Sequence, residues 1–130
     1  MCEATASAEL LLPLESTSAS AARRFAERSG CREHGLAVLD DALLLISELV
    51  TNAVLHGGPP IVLAVDCDGN GLHVRVRDGS TRMPAPRSAD EGAESGRGMS
   101  LVDLLSTTWG VDPVADEQGP GKEVWFELRR

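Results

Sequence analysis

Between positions 36 and 77 the apolar pattern changes its period, and that change confines the chain to folds that pack helix against sheet. From 36 to 55 apolar residues recur at helical spacing, and His56-Gly57-Gly58-Pro59-Pro60 closes the run with glycine before proline. Segments 61–66 and 72–77 then read as two strands, joined by the hairpin connection Cys67-Asp68-Gly69-Asn70-Gly71. In the second, Leu72, Val74 and Val76 alternate with His73, Arg75 and Arg77, so one face is buried and the other polar.

The flanks extend this outline. Residues 1–8 are small and polar and read as a flexible N-terminus. Residues 9–15 form a short strand that Pro13 places at an edge, and 19–29 a helix stopped by Gly30. Residues 79–97 contain almost nothing to bury, and a loop of that length in a small domain usually serves function. Residues 98–107 return to helix, 109–115 and 123–128 are the last strands, and 116–122 is the turn between them. The fold class expected is α+β: a two-layer sandwich whose mixed, mostly antiparallel sheet is covered on one face by about three helices. A chain of 130 residues is too short for two cores, so 9–130 reads as a single domain.

Charge narrows the function classes. Twenty acidic against twelve basic residues give a net charge of −8, unsuited to nonspecific nucleic-acid binding or an anionic membrane surface. Such a chain meets phosphate through local devices: glycine-rich backbone, helix N-termini, a divalent metal or a few arginines. Cys2, Cys31 and Cys67 have neither disulfide-framework nor metal spacing, and no apolar run has the length of a membrane span. The expected location is the cytoplasm. His34 and His73 lack metal spacing and read as surface residues, and Lys122 as a turn lysine or a phosphate or partner contact.

On the long helix, Leu43, Ile46, Leu49, Val50, Ala53 and Val54 share the arc that faces the core. Glu48, Asn52 and His56 follow at i, i+4 and i+8 on another face, flanked by Leu44, Leu45 and Leu55. The stripe reads either as an ordinary solvent face or as a crevice. In a crevice, the carboxylate suits proton abstraction and the amide oxygen suits a hard cation. Glycine clusters give the second signal. Asp78-Gly79 closes a strand, Gly96-Arg97-Gly98-Met99 opens a helix whose N–H groups can receive phosphate, and Gly119-Pro120-Gly121-Lys122 precedes the last strand. Neither a Walker A loop nor a dinucleotide fingerprint is present: Asp116 stands where the first requires glycine, and the second lacks its third glycine.

The order of these motifs resembles the Bergerat-fold ATPase superfamily, which includes gyrase and the histidine kinases, and more closely the small bacterial anti-sigma-factor serine/threonine kinases. The likeness covers roughly residues 10–128. It implies that Glu48 activates the attacking hydroxyl and that Asn52 ligates the Mg2+ bridging the phosphates of ATP. Asp78, with Gly79 after it, would accept from the adenine amino group. Gly96, Gly98 and Met99 would bring main-chain N–H groups to the phosphates, Arg97 would pair with them, and 80–97 would be the ATP lid. The implied partners are ATP, an anti-sigma antagonist protein as phosphoryl acceptor and a sigma factor, with no direct nucleic-acid or membrane contact; a homodimer stays open. Two positions depart from the family's boxes: Ser80 stands where a third-place glycine is usual, and Glu123 where a hydroxyl residue is usual. They favour a second reading, a docking module that binds ATP weakly or turns none over.

Overall fold

The computed structural model describes residues 6–29, 39–67, 71–81 and 100–129. In chain order these form β1 (Ala6–Leu12), α1 (Ser18–Ser29), α2 (Leu39–His56), β2 (Ile61–Cys67), β3 (Gly71–Asp78), a helical segment at 100–105, β4 (Thr108–Asp116) and β5 (Gly119–Arg129). The strands make one sheet in the order β1-β2-β3-β5-β4, and every neighbouring pair is antiparallel. The expectation of an α+β sandwich is met, and the described sheet is antiparallel throughout rather than mixed.

Strand alternation builds the layers. Leu63, Val74, Val76, Val124 and Phe126 point to the helical side and are buried, while Arg75, Arg77, Glu123 and Trp125 occupy the other face. On that second face Arg75 pairs with Asp66 at 3.5 Å, and Arg77 pairs with Asp116. His73, expected at the surface, is instead half-buried there and meets the Trp125 ring edge-on, with centroids 5.5 Å apart.

α2 is the long helix that the sequence announces, with Asp40 and Asp41 in its first turn and His56 in its last, both matched to the helix dipole. Its expected first residues, 36–38, lie outside the described residues. The buried face is Ala42, Leu45, Ile46, Leu49, Val50 and Ala53, at i, i+3, i+4, i+7, i+8 and i+11. This corrects the expectation for Leu45, which belongs to the core and does not flank the polar stripe; Leu43 and Val54 are only partly buried against that core. Leu44 and Leu45 differ by one helical step, so Leu45 is fully buried while Leu44 is 42% exposed. Leu45→Ala is therefore expected to cost about 2–5 kcal/mol of stability, and Leu44→Ala no more than about 0.5 kcal/mol. Urea unfolding midpoints check this, and equal losses would refute the orientation of α2.

Two other boundaries move. β1 starts at Ala6, three residues earlier than the 9–15 reading, because Ala6, Ser7 and Ala8 pair with Cys67, Asp66 and Val65. It stops before Pro13, which has no N–H to give a ladder. The β4–β5 turn is shorter than 116–122: Gly119 takes φ +97°, a glycine conformation that folds the chain back at once, and Asp116 pairs with Gly119. Lys122 thus lies within a strand. No helix among the described residues is long and apolar enough to cross a membrane.

Candidate nucleotide site

Three segments meet where α2 ends: the Gly57–Pro59 link, the end of β3, and the start of β5. Gly57 N–H donates to the Ala53 carbonyl at 3.0 Å, closing α2, and Gly79 N–H donates to the Gly58 carbonyl at 2.7 Å, tying β3 to the link. Asp78 sits at this corner and is 3% exposed. Its carboxylate lies so close to Gly57 that a Cβ there would stand 2.6 Å from Cγ. Gly121 is equally constrained, since a Cβ on it would collide with the Asp78 carbonyl.

The register β3·β5 sets Asp78 opposite Lys122 and Arg77 opposite Glu123. Lys122 consequently faces the interior at 7% exposure, and its Nζ lies 3.0 Å from both Oδ1 and Oδ2 of Asp78. This corrects the reading of Lys122 as a turn lysine. The ammonium supplies the counter-charge that a buried carboxylate requires. Glu123 occupies the opposite face of the strand, so it does not crowd Asp78. Ser80 keeps the turn closed: its N–H donates to Asp78 Oδ1 at 2.8 Å.

Glu48 and Asn52 are half-buried on α2, one turn apart, and His56 is exposed at its end. At helical rise, Asn52 lies roughly 7–8 Å along the axis from Gly57, and Glu48 roughly 6 Å beyond it. Asp78, Asn52 and Glu48 therefore mark successive levels along one helix. The Asn52 Oδ1 is enclosed and makes no hydrogen bond in the described structure. A buried amide oxygen without a donor calls for an explanation, and a hard cation takes that kind of ligand. Among the described residues no three His, Cys, Asp or Glu side chains cluster to hold a metal. Mg2+ does not need such a cage, because it keeps waters and binds through one or two protein ligands plus substrate phosphates. Asn52 thus fits the implied ion.

Gly96, Arg97, Gly98 and Met99, together with 82–97 of the expected lid, lie outside the described residues. The ion pair of Asp78 with Lys122 was not visible in the sequence, because it depends on a register between residues 44 positions apart. The signal that hinted at it was Lys122 itself, the only lysine of the chain, one residue after a glycine that closes against β3.

Comparison with protein families finds a match over residues 12–127, described as the histidine kinase-like ATPase domain. That span runs from the last residue of β1 to within two residues of the end of β5. Among curated proteins no relative matches.

Proposed function

The chain belongs to the histidine kinase-like ATPase domain family, and from that premise we propose that it binds Mg·ATP along α2 and transfers the γ-phosphoryl group to a serine or threonine of a small partner protein, in the manner of the anti-sigma-factor kinases. The observation that carries this reading is the enclosed Asn52 Oδ1, without a hydrogen-bond partner among the described residues, one turn from Glu48 on the helix that ends against the buried Asp78.

Each residue has a role in this reading. Asp78 accepts from the amino group of the base, beside Gly79. Gly96, Gly98 and Met99 offer main-chain donors to the phosphates and Arg97 pairs with them. Asn52 would hold the Mg2+, which supplies positive charge against the phosphates when bound. Glu48 orients the acceptor hydroxyl and takes its proton as the phosphoryl group leaves ADP. The acceptor is an anti-sigma antagonist protein, and a sigma factor is the second binding partner. The competing docking-module reading drew on Ser80 and Glu123. Ser80 donates its N–H to Asp78, and Glu123 faces the far side of the sheet, which supports nucleotide binding over that alternative.

The test is transfer from γ-labelled Mg·ATP to a partner captured from the native cell, followed by phosphoamino-acid analysis. Labelled phosphoserine or phosphothreonine is expected. Free phosphate without labelled protein would make the chain a hydrolase, and bound but unreacted ATP would make it a docking module. A second expectation concerns the metal: Asn52→Ala should lose the Mg2+-dependent part of its ATP affinity. Calorimetric titrations with and without Mg2+ check it, and an unchanged response to Mg2+ would remove Asn52 from the site.

A further inference from the structure

The floor of the corner presents a donor as well as an acceptor. A carboxylate has four lone-pair positions. The Ser80 N–H takes one on Asp78 Oδ1 at 2.8 Å, and the Lys122 ammonium takes the second on Oδ1 at 3.0 Å while standing 3.0 Å from Oδ2 as its ion-pair partner. Oδ1 is thereby filled, and accepting capacity is left on Oδ2, the oxygen beside Gly57. The ammonium of Lys122 carries three protons. Both carboxylate oxygens lie on one side of it, the hydrogen bond goes to Oδ1, and no other acceptor among the described residues is hydrogen-bonded to it, so a proton is left to donate. The Lys122 side chain is 9% exposed, so little water is available to it.

We infer that Lys122 reads the base: a free proton of its ammonium donates to the ring nitrogen next to the exocyclic amine, while Asp78 Oδ2 accepts from that amine. This rests on the nucleotide reading above and adds to it a residue that determines specificity. The edge of adenine sets one donor beside one acceptor and complements the pair. A base edge with two adjacent donors would need two free positions on the carboxylate, and Oδ1 has none. Lys122 is thus held by Asp78 and at the same time completes the recognition surface.

Calorimetric titration of the full chain with Mg·ATP and with Mg·1-deaza-ATP, in which C–H replaces the ring nitrogen, tests the inference. The wild-type chain is expected to bind ATP roughly ten- to hundredfold tighter than the deaza analogue, the range for a hydrogen bond to a charged group. Lys122→Met is expected to weaken ATP and to abolish the difference. Equal affinities in the wild type overturn the inference without any variant. So does a difference that persists in Lys122→Met, or ATP binding that tightens there, which would make the lysine a competitor for Asp78. Should Lys122→Met not fold, Lys122→Arg keeps the ion pair and displaces the donors, and an undiminished preference in it overturns the inference. Binding of neither nucleotide by the wild type overturns the nucleotide reading itself.

Discussion

Asp78→Ala is expected to lose about 3–5 kcal/mol of stability, because it leaves the Lys122 ammonium buried without its counter-charge. That is a large share of the roughly 5–15 kcal/mol by which domains are stable. The pair is enclosed on both sides, with Asp78 3% and Lys122 7% exposed. The second variant separates charge from packing. Asp78→Ala combined with Lys122→Met removes both charges and keeps most of the lysine's apolar stem, so much of the lost stability should return. Neither protein should bind ATP, since both lack the acceptor. Urea unfolding and nucleotide titration read the two properties independently. An Asp78→Ala protein as stable as the wild type would contradict a buried pair, and ATP binding by the double variant would place the base elsewhere.

Glu48→Ala is the second large effect, and it should fall on chemistry alone. General-base assistance contributes about 10²–10⁴-fold to a rate, so phosphoryl transfer is expected to fall by that order. Glu48 lies one turn beyond Asn52, away from Asp78, so ATP affinity should change little. Glu48→Gln removes the basic oxygen while keeping the size of the side chain, and it should be equally slow. Single-turnover rates with saturating Mg·ATP check both variants. Parental rates in either would take Glu48 out of the reaction, and a parallel loss of ATP binding would make it a binding residue.

The sequence made the fold legible because its periods are unambiguous where burial is one-sided. From Leu72 to Asp78 β3 alternates, and its buried side is the one expected. α2 was readable as a helix, but its face was legible only to within one step, since Leu43, Leu44 and Leu45 are consecutive and apolar, and packing alone selects Leu45 for the core. The β4–β5 turn reads longer in the sequence than it is, because glycine and proline at 119–121 look like loop, whereas Gly119 reverses the chain and Pro120 and Gly121 pair with Ala115 and Val114. In the candidate site, the Glu48–Asn52 stripe follows from helical spacing and needs no tertiary information. The environment of Asp78 does need it. Strand register turns Lys122 inward and Glu123 outward, and a one-residue slip would exchange them.

The central claim is that a metal-bound triphosphate lies along α2 with its base on Asp78. A crystal structure of the chain with Mg2+ and a non-hydrolysable ATP analogue measures it directly. The account predicts the amine of the base at Asp78 Oδ2 and the metal about 2.0–2.1 Å from Asn52 Oδ1, the usual Mg–oxygen distance. Nucleotide density away from the α2–β3 corner, or a metal held without Asn52, would contradict it.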